Sequence, residues 1–115
     1  MSKFATLLLT SFIGFNTYAA NLDIEAGENS YKTLCVSCHG DLGHGDLGHG
    51  DGIAGKALPE QPSNIYDGLN SWFESEAELI DTVLNGNEGM PAWSSVLNEK
   101  DVKDIFAYIE KINSK

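Results

Sequence analysis

The chain has 115 residues, with seven lysines, no arginine and seventeen acidic residues, for a formal net charge of −10. That length allows one small domain, which buries only a modest share of its surface, so a cofactor or covalent staple would help to hold it. The acidic balance argues against binding to nucleic acid or anionic lipid; it suits either plain solubility or steering towards a basic protein partner.

Residues 1–20 are set apart by composition. Lys3 is their only charge, Phe4 to Phe15 is mostly apolar, and small residues close the segment at Ala19-Ala20. This layout predicts a secretory signal peptide cleaved after residue 19 or 20. Its apolar core of about a dozen residues is shorter than the roughly 20 needed to span a bilayer. The remaining domain, 21–115, is then expected to be periplasmic or otherwise exported, without stable membrane insertion. No cysteine precedes Cys35, so no lipidation site lies near the export signal.

The first helix is expected from about Ile24 to Cys38, with Asp23 as N-cap and Ile24, Tyr31, Leu34 and Cys38 on one face. Cys35-Val36-Ser37-Cys38-His39 then spells C-x-x-C-H, the attachment signature of c-type haem. Two cysteines three apart on a helix share a face and can form thioethers to two vinyl groups. His39, four residues after Cys35, lies close enough to put an imidazole on the iron.

Other chemistries compete for these residues. Two cysteines in an exported chain ordinarily suggest a disulfide, and a thioredoxin-like redox pair would need strands that this sequence does not offer. Cys35, Cys38, His44 and His49 also spell C-x2-C-x5-H-x4-H, with zinc-like end spacings but a short central spacer. Zinc would leave His39 without a role and the segment around Met90 unexplained.

His44 and His49 fall in Gly40 to Gly52, where GDLGH is written twice and followed by GDG. Deleting either copy leaves the same string, so the repeat reads as a tandem insertion in a loop, tolerated because closure entropy grows only logarithmically with length. Both histidines are then loop residues, with some scope for binding a stray metal or tuning docking. The stretch between the first and second helices is rich in Gly, Pro, Asn and Asp, and so long a loop implies that it wraps something.

A second helix is bounded by Ser75, with capping-box partner Glu78, and by Gly86. Gly86 to Trp93 is irregular, and Met90 lies there between Gly89 and Pro91. Once Met1 is removed with the signal, Met90 is the only methionine. A lone Met is commonly core filler, but a polar, turn-rich loop stiffened by its neighbours suits a sixth iron ligand better. His/Met ligation raises the reduction potential and closes the iron to substrates. His44 or His49 as sixth ligand would lower the potential. The third helix starts at Asn98, with Asp101 three residues on, and carries the stripe Val102, Ile105, Phe106, Ile109 and Ile112. Trp72, Trp93 and Tyr66 are candidates for lining a haem or for ordinary apolar packing.

With these motifs in hand, the sequence resembles the small bacterial monohaem class I cytochromes c, including the haem c domains of cbb-type oxidase subunits. The resemblance runs from about Asp23 to Ile112. It rests on Cys-Val-Ser-Cys-His-Gly followed by a Gly-Asp-Gly run, on Gly89-Met90-Pro91-Ala92-Trp93, and on Ile105-Phe106-Ala107-Tyr108-Ile109. It implies an all-α fold of three main helices with long loops around one covalent haem c, attached through Cys35 and Cys38 with His39 and Met90 on the iron. It further implies that Gly27 and Tyr31 pack against the aromatic face of the last helix, and that Leu58 to Pro62 is the proline-containing loop passing the haem on its histidine side.

The expected function is an extracytoplasmic electron carrier, or the electron-entry subunit of a larger oxidoreductase, that is not itself an enzyme and meets redox proteins bearing a basic docking patch. The alternatives are an open-iron haem enzyme or ligand sensor, with His44 or His49 as a distal group, and a Cys2His2 zinc module.

Overall fold

The computed structural model describes residues 21–43, 53–87 and 89–114. The proposed signal segment, His44 and His49 lie outside the described residues. Six helices follow in order, with no strand among the described residues: α1 (Ile24–Leu34), α2 (Val36–His39), α3 (Ile53–Lys56), α4 (Ile65–Asn70), α5 (Glu76–Asn85) and α6 (Glu99–Asn113).

Four of the starts follow from side chains that satisfy otherwise orphaned backbone donors, that of α4 through Asn64, which accepts from Asp67 N at 2.9 Å. Asp23 accepts from Ala26 N at 2.9 Å and opens α1. Ser75 and Glu78 form a reciprocal capping box at α5, and Asn98 and Asp101 do the same at α6.

The first helix is not continuous from Ile24 to Cys38. It breaks at Cys35, whose φ of −117° departs from the helical value of about −63°. The Cys35 carbonyl accepts from both Cys38 N (3.2 Å) and His39 N (2.9 Å), which tightens the turn. The break starts α2 as a separate turn while Cys35 and His39 both stay buried. The long connection after it also contains two short helices, α3 and α4, which are too brief to show a helical period.

The core forms where α1 crosses α6. A Cβ on Gly27 would overlap the backbone carbonyl of Asp104, so only glycine lets these two backbones meet. One turn on, the rings of Tyr31 and Tyr108 lie 5.8 Å apart at 49°, within the range for favourable aromatic pairs. Tyr31, Val102, Ile105, Phe106 and Ile109 complete the buried seam. The close packing implied for Gly27 and Tyr31 is therefore present.

Polar contacts lock the same crossing. Asp104 is buried on α6, and accepts from Asp23 N at 2.9 Å and from Lys100 Nζ at 2.9 Å. The Tyr31 hydroxyl donates to the Gly40 carbonyl, one residue after the C-x-x-C-H motif. At the far end of α6, Asn113 Nδ2 donates to the Leu42 carbonyl. These bonds fix α2 and its histidine relative to the helix pair.

A candidate haem-binding site

His39 ends α2 and is buried, with Nδ1 2.9 Å from the backbone carbonyl of Ser63. A carbonyl can only accept, so Nδ1 carries the proton and the lone pair of the neutral ring is on Nε2. Burial holds the His39 pKa below its ordinary value, with the Ser63 hydrogen bond opposing, so the imidazole is neutral at neutral pH. A neutral ring with its other nitrogen tied to a carbonyl is the form in which histidine ligates a metal.

Met90 is half-buried in the loop after α5. Gly86 ends that helix with φ 74°, and a Cβ there would come 2.6 Å from the Met90 carbonyl and 2.9 Å from Ala92 N. Asn87 organises the turn: Met90 N donates to the Asn87 carbonyl and to its Oδ1, each at 3.2 Å, while Asn87 N donates to the Met90 carbonyl at 3.1 Å. Beyond Met90 the chain is stapled back to α5, by Trp93 N on the Val83 carbonyl (3.1 Å) and Ser94 N on the Leu84 carbonyl (3.0 Å).

His39 and Met90 both line a cavity of about 600 Å³ whose apolar wall includes Ile65, Leu79, Val83 and Phe106. A second hollow, of about 320 Å³, shares His39, Ser63, Thr82, Asn87 and Met90 with the first and is lined by Cys35, Cys38, Pro62 and Trp93. The four residues singled out by the motifs thus converge on one space, within the roughly 300–1,000 Å³ usual for cofactor sites.

No disulfide joins Cys35 to Cys38. Burial, with a smaller contribution from neighbouring Cys38, pushes the Cys35 thiol up to about 12. A thiol that stays protonated is a poor redox nucleophile. Among the described residues, no three His, Cys, Asp or Glu side chains cluster as a metal site; the histidines of the zinc reading lie outside them.

The donor set fits a haem: one imidazole nitrogen, one thioether, two thiols on the wall and an apolar lining. Trp93 borders the cysteine side of the space, and Tyr66 packs against the core. Trp72 does neither, being 86 % exposed. In the proline loop, Pro62 lines the site and Pro59 is exposed. The atom that meets His39 is the Ser63 carbonyl, which sequence reasoning missed because a backbone acceptor has no residue signature. The adjacent Pro62 was the only available hint.

An all-α fold closing over a C-x-x-C-H turn and a methionine loop defines a small class I cytochrome c. The chain belongs to the family described as cytochrome c oxidase, cbb3-type, subunit III, whose model matches residues 22–109. It is 32% identical over 92 residues to the cbb3-type cytochrome c oxidase subunit FixP of Bradyrhizobium sp. (strain ORS 278), which covers 78% of this chain and 28% of that protein. It is 29% identical over 105 residues to cytochrome c6 of Picosynechococcus sp. (strain ATCC 27264 / PCC 7002 / PR-6), covering 91% of this chain and 86% of that protein. The chain therefore spans a little over a quarter of the FixP length and most of the cytochrome c6 length. No solved structure matches it. The protein is accordingly a haem c protein with one covalently bound haem.

Proposed function

We propose that the haem is held by thioethers from Cys35 and Cys38, with His39 Nε2 and the Met90 sulfur on either side of the iron, and that the domain of residues 21–115 carries electrons outside the cytoplasm after residues 1–20 are removed. The observation that carries this reading is the His39–Ser63 hydrogen bond, which leaves Nε2 as the free nitrogen in a space that Met90 also lines. When bound, the haem supplies a one-electron ferric–ferrous couple.

The chain's own residues set the conditions for that couple. Ser63 fixes the tautomer and orientation of His39, and the Asn87 turn holds Met90 in a rigid loop. Leu79, Val83 and Phe106 give the wall an apolar lining. His39 and Met90 would both hold the iron of a bound haem, which would leave it no open position for a substrate and suit it to electron exchange. Among the described residues no helix is long and apolar enough to cross a membrane. Exchange with redox partners at a basic docking patch is supported by the acidity of the chain.

Mass spectrometry of the denatured protein, with an oxidised-state optical spectrum, tests this reading. The expected result is one haem retained under denaturing conditions, lost when Cys35 and Cys38 are both replaced by alanine, with a low-spin spectrum showing the weak long-wavelength band of thioether ligation. A high-spin spectrum that shifts on adding small ligands would support an open-iron enzyme or sensor instead.

A further inference from the structure

Trp72 and Phe73, in the link between α4 and α5, are 86 % and 75 % exposed. Their rings are in contact and tilted, with centroids 3.9 Å apart and planes at 33°. Single exposed apolar side chains are ordinary. Trp72 is different, because it lines neither the cavity of His39 and Met90 nor the hollow beside it, whereas Phe73 lies at the edge of that cavity, and aromatic residues are the usual anchors of protein interfaces.

The charge around the pair has one sign. Between Lys56 and Lys100 the sequence has no basic residue and eight acids. The three ion pairs among the described residues, Lys32–Glu28, Lys100–Asp104 and Lys103–Glu99, all lie on α1 and α6. Among the described residues, Glu74, Glu78 and Asp81 form no ion pair with a lysine. An open groove of about 610 Å³ runs from Phe73 past Glu74, Glu78 and Asp81. It shares Phe73, Glu74, Leu79 and Thr82 with the cavity that His39 and Met90 line.

We propose that Trp72 and Phe73, together with Glu74, Glu78 and Asp81, form the docking surface for a basic redox protein. An arginine or lysine of the partner lies over the exposed face of Trp72, and its neighbours pair with the three acids. Cation–π attraction needs an accessible ring face and is strengthened as the contact is desolvated. The acids repel an anionic lipid surface and a second copy of this chain, which leaves a cationic protein as the occupant. The surface deepens the proposed electron-carrier role, and rests on that reading only for what passes across the contact.

The test titrates reduced, haem-loaded ¹⁵N-labelled protein with a hexaarginine peptide as the cationic probe, following the Trp72 indole N–H and measuring affinity by calorimetry. The shifts should concentrate on residues 71–82. Trp72→Ala should weaken binding about fivefold. Glu78→Gln, which keeps a capping-box partner for Ser75, should weaken binding and flatten its salt dependence. Glu25→Gln on α1 should change affinity by less than about twofold. Parent-like binding by Trp72→Ala, an equal loss in Glu25→Gln, or equal binding of hexaglutamate would overturn the proposal. The optical spectrum of the same samples reports the iron ligands, so a failure of the His39/Met90 assignment is seen separately from a failure of docking.

Discussion

The Asp23 backbone N–H donates to Asp104 Oδ1 at 2.9 Å, so a buried carboxylate on α6 holds the residue whose own side chain caps α1. The other Asp104 oxygen accepts from Lys100 Nζ. Removing the carboxylate leaves the Asp23 donor without its acceptor where the helices meet. Asp104→Ala should therefore cost about 1–3 kcal/mol. Chemical denaturation of haem-loaded protein checks this, with Lys100→Ala as the comparison; its exposed ammonium predicts a smaller loss, below about 1 kcal/mol.

Gly27 tests the same crossing by steric means. An added Cβ meets the Asp104 carbonyl, which is backbone and cannot swing aside. Gly27→Ala should raise intrinsic helix propensity by about 1 kcal/mol and still destabilise the protein, by about 1–3 kcal/mol or more, because the two helices must separate. A variant as stable as the parent in urea would show that α1 and α6 do not approach this closely.

Asn87 is placed to hold Met90 through its carbonyl and its Oδ1. Asn87→Ala removes the side-chain acceptor and leaves the backbone pairing. The loss of roughly 1 kcal/mol should make Met90 easier to displace, raising the affinity for added imidazole about fivefold. Optical titration reads this directly.

The histidine gives a pH dependence whose sign is fixed. His39 has a folded pKa below its unfolded value of about 6.5, so between the two the unfolded chain binds more protons. Its contribution to stability is full above about 6.5 and is lost as pH falls through the folded pKa. The urea midpoint should accordingly drop between neutral pH and pH ~5. A midpoint that is flat or rises over that interval would mean that His39 is not buried in its neutral form.

Local chemistry made much of this legible in the sequence. Ser75 with Glu78, Asn98 with Asp101, and Asp23 before an amphipathic run each satisfy backbone donors within a few residues, so their signals are contained in short strings. The C-x-x-C-H motif and Met90 between Gly89 and Pro91 were readable for the same reason. The break at Cys35 was not, because it depends on burying Cys35 and His39 together. Neither was the Ser63 carbonyl, which acts through backbone 24 positions from its partner. The α3 and α4 helices are shorter than any periodicity can register, and the exposure of Trp72 depends on where its loop lies.

The central claim is that Met90 is the sixth ligand of a haem whose fifth ligand is His39, and the redox midpoint of the parent and of Met90→Ala tests it most directly. Loss of the thioether should leave the haem attached and lower the midpoint by a substantial part of the roughly 0.8 V range that axial ligation spans, with the iron newly open to small ligands. An unchanged midpoint with an unchanged spectrum would contradict the assignment.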